Sequence, residues 1–310
     1  MGAVRVGETI RASGQRQSAA PFPASALAPG LYLVATPIGN LGDITLRALE
    51  VLKAVDVVAC EDTRVTGKLL DHYGLRAQMF PYHDHSGPGA RAALLARLQA
   101  GGRVALVSDA GTPLVSDPGY KLLREAAAAG IAIVPVPGAS AALAALQVSA
   151  LPPDKFLFAG FLPPKTAARR KAIAALAAVP ATLIFYETGP RLAEALADLA
   201  LELGPRPAAV ARELTKLFEE TRRGSLSELA AAYREAPPPK GEIAVVVGPP
   251  EEAAPATAED IDTLLERALA VMSVRDAAAS VAEASGQKRK DVYRRALELA
   301  KAPAKPGRRR

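Results

Sequence analysis

Two segments rich in glycine and proline combine residue types that suit ligand binding. They span residues 33–43 (LVATPIGNLGD) and 106–119 (LVSDAGTPLVSDPG). Glycine lets the backbone approach a ligand closely, and proline holds a turn stiff. Asp and Thr occur in both segments and Ser in the second, so both offer groups that orient a small molecule. The segments predict a ligand crevice, although ordinary strand-to-helix turns have a similar composition.

Each segment follows a short apolar run, and such runs alternate with helical patterns in this part of the chain. This alternation predicts βαβ units and a mostly parallel sheet. Ligands of open α/β sheets bind beyond the carboxyl ends of the strands, which is where both segments fall. The predicted strands are 31–36, 56–60, 103–108 and 131–136, and the predicted helices are 46–53, 64–73, 91–98 and 120–128.

A second α/β series follows the break at residues 151–154. Its predicted strands are 156–158, 182–186, 208–212 and 242–247. One predicted helix begins after Lys165, and a second spans 191–203. We therefore expect two α/β halves, 30–136 and 137–250, and then a linker over 249–255. Three short helices at 258–271, 274–284 and 289–300 suit a helix-turn-helix-like module over 256–302, before a basic tail at 303–310.

Composition narrows the class of protein. Cys60 is the single cysteine of the 310 residues, which excludes an internal disulfide and a cysteine metal cluster, and its apolar surroundings predict a buried core residue. No apolar stretch reaches the roughly 18 residues of a membrane span, and the N-terminus lacks the apolar core of a secretion signal. We expect a cytoplasmic protein without membrane contact.

The composition of residues 1–29, which is rich in Ala, Ser, Pro and Arg without periodicity, predicts a disordered extension. An organelle transit peptide is the alternative.

Positive charge is concentrated at the C-terminal end. Residues 285–310 contain ten Lys and Arg against Asp291 and Glu298, a net charge of +8 in a chain whose total is +6. The preceding 284 residues therefore carry a net charge of −2. This asymmetry is typical of a segment that meets a phosphate backbone; a solvated tail without a specific partner is the alternative.

The crevice lacks the sequence patterns that hold phosphate groups. Neither G-x-x-x-x-G-K-[ST] nor G-x-G-x-x-G is present, which disfavours a mononucleotide or NAD. Small residues at other predicted strand ends leave room for a nucleoside-sized molecule. These segments are 136–141 (VPGASA), 185–187 (FYE), 212–216 (RELTK) and 240–243 (KGEI).

Seven segments together resemble one family in order and spacing. They are 35–43 (ATPIGNLGD), 60–64 (CEDTR), 107–113 (VSDAGTP), 137–141 (PGASA), 185–187 (FYE), 212–216 (RELTK) and 240–242 (KGE). The chain closely resembles the bacterial 16S rRNA (cytidine-2′-O)-methyltransferases over roughly residues 30 to 300. The resemblance implies a two-domain tetrapyrrole-methylase-like fold (class III methyltransferase) with a C-terminal helical module. It also implies S-adenosylmethionine as methyl donor, a homodimer, and a decoding-centre cytidine of 16S rRNA in the small ribosomal subunit as acceptor.

The resemblance also assigns a donor site, carried over residue by residue. It implies that the donor contacts Ile38, Asp109, Ala110, Gly111, Thr112, Val115, Ser140, Ala141, Tyr186, Leu214 and Gly241. Such a set suits the ligand, since adenine needs backbone polar groups and apolar walls while the sulfonium tolerates carbonyl oxygens. A nearby Lys or Arg would disfavour the sulfonium.

Ribose methylation requires the 2′-hydroxyl to lose its proton as the methyl arrives. Candidates for handling that proton are Glu61, Asp62, Glu187, Glu213 and Lys216. We hypothesise that Glu61 or Asp62 helps to handle the acceptor, while Arg64 holds a phosphate. Alternatively, the adjacent carboxylates cap the next helix and form a local salt bridge. Lys216 carries the same ambiguity between a catalytic and a structural role.

One segment departs from the family. The related sequences have His-x-His-Asn-Glu where this chain has His83, His85, Ser86 and Gly87. The missing carboxylate puts the affinity for the acceptor in doubt. Paired histidines suggest metal or base chemistry, but without a third ligand in this motif we expect no metal and treat them as surface or interface residues.

Two other functions remain open. A tetrapyrrole or other small-molecule methyltransferase of the same fold is disfavoured, because the usual Gly-Asp-Pro donor loop reads Gly-Thr-Pro at Gly111 and because a basic module has no role there. A non-catalytic ribosome-binding protein would use the crevice only for dimerisation or sensing. A methyl-transfer assay separates that possibility from the enzymes.

Overall fold

The structure is a computed structural model that describes residues 27–83, 86–251 and 258–301. Most of the predicted N-terminal extension, the predicted tail and His85 lie outside the described residues. Contacts divide the chain into two compact units, one ending at Pro250 and one starting at Glu251. Within the described part of the chain, no helix has the length and apolar character needed to cross a lipid bilayer.

The first unit begins with a parallel five-stranded sheet of order β3-β2-β4-β1-β5. Its strands are β1 (Gly30–Val34), β2 (Val57–Cys60), β3 (Met79–Pro81), β4 (Arg103–Leu106) and β5 (Ile133–Val136). Its helices are α1 (Leu46–Ala54), α2 (Thr63–His72), α3 (Pro88–Gln99) and α4 (Tyr120–Ala128). Strands β1 and β4 are neighbours, so the loops that follow them meet at the carboxyl edge of the sheet.

This sheet is buried on both faces, which explains its continuous apolar strands. On one face Val34 and Val58 pack in a cluster with Leu52 of α1. On the other face Val104 and Leu106 pack with helices α3 and α4. The helices begin at polar caps where the sequence provides them: the Thr45 side chain accepts a hydrogen bond from the Ala48 N–H at the start of α1.

A second five-stranded sheet has the order β6-β7-β10-β8-β9. Its strands are β6 (Phe156–Phe161), β7 (Thr182–Thr188), β8 (Pro207–Arg212), β9 (Glu220–Ser225) and β10 (Glu242–Val247). Helix α5 (Ala141–Ser149) comes between the sheets, and α6 (Thr166–Ala174), α7 (Gly189–Leu203) and α8 (Leu226–Glu235) accompany the second. In this sheet β6 and β7 are parallel, and the other pairs are antiparallel.

The parallel sheet predicted for the first series is confirmed, whereas the second sheet, whose strand directions were not predicted, is mostly antiparallel. A short loop joins β8 to β9, which forces a hairpin. Strand β9 (ETRRGS) was missed because an exposed edge strand carries charge instead of an apolar run. Strand β3, helix α5 and helix α8 were missed as well. Helix α5 (AALAALQVS) has apolar residues on its exposed side too, such as Leu143 at 48% exposure, so it lacks an amphipathic stripe.

The second unit contains three helices: α9 (Ala258–Leu269), α10 (Val274–Ser285) and α11 (Arg289–Lys301). Their core is built from Leu265, Val281, Val292 and small alanines. Ser273 caps α10 by accepting a hydrogen bond from the Asp276 N–H, and Gly286 ends it in the left-handed conformation. The three helices agree with the sequence prediction to within about two residues at each end.

Candidate active site

The loops after β1 and β4 are joined by backbone hydrogen bonds. The Thr36 N–H donates to the Gly111 carbonyl at 2.9 Å, and the Gly111 N–H donates to the Thr36 carbonyl at 3.0 Å. Gly111 has a φ of +80°, and a Cβ there would lie 3.2 Å from Cγ2 of Ile38. Glycine is therefore needed for both the conformation and the close approach.

A third loop, after β5, closes on the same point. The Thr112 hydroxyl donates to the Ala139 carbonyl at 3.0 Å. A Cβ on Gly138 would lie 2.9 Å from Cβ of Ala35, so the backbone of this loop packs closely on the end of β1. Three segments distant in sequence thus form one wall, with Ser140 and helix α5 directly after it.

The second sheet provides the opposite wall. Strand β7 contributes its carboxyl end, whereas β10, which runs antiparallel to it, contributes its amino end; Ala244 pairs with Tyr186 and Ile243 with Glu187. The Tyr186 hydroxyl accepts a hydrogen bond from the Ala142 N–H at 3.1 Å, which ties the sheet to the first turn of α5. Burial raises the pKa of the Tyr186 phenol, so it stays neutral.

Between these walls lies a cavity of about 310 Å³. All eleven residues of the implied donor site line it. The structure therefore brings together side chains that are spread over two hundred residues of sequence. Nine further lining residues were absent from the implied donor site, although Glu187 among them was a candidate for handling the proton: Ser116, Asp117, Phe161, Glu187, Thr188, Ala211, Glu242, Ile243 and Ala244.

Some of these nine could have been found. Ser116 and Asp117 lie in the second Gly/Pro-rich segment, and Glu242 and Ile243 lie in the segment that begins at Lys240. Phe161 had no such signal, because its position depends on an irregularity in β6 between Phe158 and Gly160 that alternation of side chains does not reveal.

Carboxylates dominate the charge of the cavity. Asp109, Asp117, Glu187 and Glu242 line it, and no Lys or Arg is among its described lining residues. The Glu187 side chain is almost fully buried; its Oε1 accepts the Thr188 N–H at 2.8 Å, and its Oε2 lies 3.2 Å from Nη2 of Arg191 without hydrogen-bond geometry. Burial raises the pKa of Asp109. A cavity with this charge suits a cationic ligand.

Two of the predicted catalytic residues, Asp62 and Arg64, form a pair beside the cavity. The Asp62 carboxylate caps α2 by accepting the Arg64 N–H and pairs with the Arg64 guanidinium at 2.5 Å. The hydrogen bond from Arg64 lowers the pKa of Asp62 to about 2. The Asp62 N–H donates to Oδ1 of Asp109 at 3.0 Å, which links the pair to the cavity wall. The geometry is that of a capping carboxylate with a local salt bridge.

The other two predicted residues differ in position. Lys216 lies beside the cavity without lining it: its ammonium group donates to Glu213 Oε1 at 2.8 Å and to Glu242 Oε2 at 3.2 Å. Burial alone would lower the pKa of Lys216, but these hydrogen bonds outweigh it and raise the pKa, so the amine is charged. Glu61 is half-buried directly after β2 and is not a lining residue.

The histidine segment contributes no metal site within the part of the chain that is described. His83 is half-buried, and its backbone N–H donates to the Ser86 hydroxyl at 2.9 Å. Among the described residues, no group of three or more His, Cys, Asp or Glu side chains is placed to hold a metal ion. Ser86, whose N–H also donates to the His83 carbonyl at 2.8 Å, thus closes a local turn.

Comparison with known proteins agrees with this geometry. The family profile of the tetrapyrrole (corrin/porphyrin) methylases matches residues 30–230, and that of the RsmI C-terminal HTH domain matches residues 255–300. The ribosomal RNA small subunit methyltransferase I of Mesorhizobium japonicum is 57% identical over 279 residues, covering 90% of this chain and 95% of the relative. Its namesake in Erythrobacter litoralis is 57% identical over 276 residues, covering 89% and 97%.

A solved structure supports the fold. The uroporphyrin-III C-methyltransferase from Thermus thermophilus, complexed with S-adenosylhomocysteine, superposes with a TM-score of 0.51 over 71% of this chain and 97% of that one. At 22% identity, this similarity concerns the fold alone. The predicted fold class and family resemblance are confirmed. The chain therefore belongs to the tetrapyrrole methylase family and, within it, to the group of its small-subunit ribosomal RNA methyltransferase I relatives.

Proposed function

We propose that this chain transfers the methyl group of S-adenosylmethionine to the 2′-hydroxyl of a cytidine in the decoding centre of 16S rRNA. As a family member the chain is a methyltransferase, and S-adenosylmethionine is its methyl donor. The observation that carries the proposal is the acidic cavity: every implied donor residue lines it, on a chain whose residues 285–310 carry a net charge of +8. The curated relatives are named for methylation of small-subunit ribosomal RNA.

The residues present fit the donor. Ile38, Leu214 and Ala244 are buried apolar residues that offer a wall for the adenine. The carboxylates of the cavity favour the positive charge of the sulfonium and of the amino group. An apolar pocket with a few convergent polar groups is the usual form of a small-molecule site.

The transfer forms a bond from the ribose oxygen to the methyl carbon and breaks the bond from that carbon to sulfur. S-adenosylhomocysteine leaves, and the hydroxyl proton passes to a base. Asp62 is a weak base with its pKa near 2, and Lys216 is protonated. Asp109, with a raised pKa and a place in the cavity wall, is the base that this arrangement favours. We assign Lys216, which is charged and contacts Glu242 of the lining, to the negative charge of the acceptor, whereas Arg64 stays paired with Asp62.

The acceptor is assigned to ribosomal RNA because of the second unit. Lys288, Arg289 and Lys290 are exposed at the start of α11 and form no ion pair with another described residue. Free cationic side chains at one helix end suit a phosphate backbone. We further expect a homodimer that acts in the cytoplasm, where the small ribosomal subunit is assembled.

The test is transfer of labelled methyl from S-adenosylmethionine to purified small subunits from cells that lack the enzyme, with nuclease mapping of the product. We expect label on one cytidine ribose. Subunits from cells that contain the enzyme are the control, since their acceptor is already methylated and should take up little label. Label in a base, or transfer only to a small molecule, would contradict the proposal. Donor binding without any transfer would instead favour a non-catalytic ribosome-binding protein.

A further inference from the structure

Strand β6 contains a β-bulge that determines which way its last residue points. Phe156 pairs with Thr182 and Phe158 with Ile184, but the register shifts before Gly160, and Phe161 pairs with Tyr186. Gly160 adopts a φ of +67°, a conformation that favours glycine. The extra residue puts Phe161 on the same face as Phe158, whereas regular alternation would put it on the opposite face.

The re-aimed Phe161 ring is held in place at the cavity. It meets the Tyr186 ring edge to face, with centroids 5.6 Å apart, and Tyr186 meets Phe158 in the same way at 4.8 Å. The next residue is fixed as well, because Nη2 of Arg191 donates to the Leu162 carbonyl at 2.6 Å. The aromatic contact thus holds the Phe161 ring against Tyr186, and the hydrogen bond fixes the backbone that follows it.

Phe161 differs from the other apolar side chains of the cavity in its exposure. It remains 53% exposed although it lines the cavity, whereas Ile38 and Leu214 are 6% and 8% exposed. The ring therefore lies at the mouth, between the cavity and solvent. A ribosomal RNA is too large to enter a cavity of about 310 Å³ and must present its ribose from outside, so the mouth is what its nucleotide meets.

We propose that Phe161 is the platform on which the pyrimidine base of the acceptor nucleotide stacks, which positions the attached ribose for methyl transfer. This inference rests on the proposed function. A neutral aromatic ring suits a base, while the acidic lining repels phosphate, so the base and not the backbone is the part that fits here. RNA-binding proteins commonly hold unstacked bases on aromatic side chains in this way.

The test compares Phe161→Leu with Phe156→Ala in the full-length protein. Leu keeps an apolar side chain against Tyr186 but removes the stacking face. Phe156 is a matched control, since it lies on the same strand and face, is 45% exposed, and does not line the cavity. We expect F161L to lower kcat/KM for small subunits by about 5-fold to 150-fold, the range of base–aromatic stacking. F156A should stay within about 2-fold of the unsubstituted protein on the same scale.

Two further measurements make the result specific. The affinity for S-adenosylhomocysteine, measured by calorimetry, should be unchanged in F161L. A separate variant, Phe161→Tyr, should retain most of the kcat/KM of the unsubstituted protein because it keeps the ring. Weaker S-adenosylhomocysteine binding in F161L would overturn the inference and assign Phe161 to the donor. An unchanged kcat/KM in F161L would overturn it too. Failure of the unsubstituted protein to methylate subunits would instead refute the proposed function.

Discussion

The side chain of Lys216 lies directly against the backbone of Gly39. A Cβ added to Gly39 would be 2.4 Å from Cγ of Lys216, and the glycine has a φ of +153°. This contact joins the loop after β8 to the loop after β1, so it connects elements of the two sheets. Beyond it, the ammonium group reaches Glu213 and Glu242, of which Glu242 lines the cavity.

Gly39→Ala should therefore displace Lys216 and impair methyl transfer. Alanine is strained at this φ, and its Cβ would force the partly exposed Lys216 side chain to move. Loss of the ammonium position should lower kcat by about 10-fold or more. Gly67→Ala is the control. Gly67 lies in α2, and a Cβ there would be 3.7 Å from Cε of Met79, an ordinary van der Waals distance. The measurements are thermal unfolding and single-turnover methyl transfer. Equal rates in the two variants would show that the position of Lys216 does not matter.

Asp62→Asn should retain most of the methyl-transfer rate. Asn caps helices as well as Asp does, and a carboxylate with a pKa near 2 contributes little as a base. Asp62→Ala, in contrast, removes the cap of α2 and should lower Tm by roughly 2 to 4 °C. Rates and Tm values of both variants, measured at pH 7, decide the point. A rate loss of about 100-fold or more in D62N at unchanged Tm would restore Asp62 as the catalytic base.

The cavity was predictable from the sequence only in part. Loops at the carboxyl ends of β1 and β4 follow from the βαβ pattern, which places Asp109 and Thr112 at the edge of a parallel sheet. The segment that begins at Lys240 pointed to Glu242, but the wall that β10 forms did not follow, because it requires β10 to be antiparallel, and pairing direction is set by long-range contacts. The resemblance supplied Gly241 next to it, but not the wall that the strand forms.

The roles of the charged residues were also decided by three-dimensional neighbours. The sequence places Asp62 after a strand and before a helix, which allows both a base and a cap. Only the position of Arg64, folded back onto the carboxylate, favours the cap. Similarly, the raised pKa of Lys216 comes from its hydrogen bond to Glu213 and, in smaller part, from its hydrogen bond to Glu242, which lies 26 residues away in sequence.

Asp109→Asn should stabilise the unliganded protein at neutral pH and slow catalysis. Burial raises the pKa of Asp109 in the folded state. The protonated Asp109 side chain therefore stabilises the fold fully below the unfolded pKa of 3.8, and this stabilisation is lost as the pH rises through the folded pKa. Asn resembles the protonated form and can still accept the Asp62 N–H. We expect Tm to rise by about 1 to 3 °C at pH 7, with a smaller gain towards pH 4.

The same variant tests the assignment of the base. D109N should lower the single-turnover rate by about 100-fold or more, while a Glu242→Gln control, which changes another carboxylate of the cavity, should lower it less. Affinity for S-adenosylhomocysteine is measured alongside, to separate donor binding from chemistry. A normal rate in D109N would exclude Asp109 as the proton acceptor.

The basic start of α11 should control the salt dependence of binding to small subunits. Removal of all residues after Ser285 is a poor test, because Val292 and Ala296 are part of the core of the second unit and their loss would unfold it. Replacing Lys288, Arg289 and Lys290 together with Gln leaves this core intact, since all three are exposed. Each lost phosphate contact should reduce the slope of log K against log salt by about 0.7 to 0.9.

Arg295→Gln is the control for this triple replacement. The Arg295 guanidinium is already paired with Asp262 at 2.6 Å and with Glu298 at 2.7 Å, so its charge is compensated within the unit. We expect R295Q to change the salt slope by less than about 0.5, whereas the triple variant should flatten it by about 2 or more. Binding of labelled subunits is measured across a range of potassium chloride concentrations. An unaltered slope in the triple variant would mean that these three cations do not meet the RNA backbone.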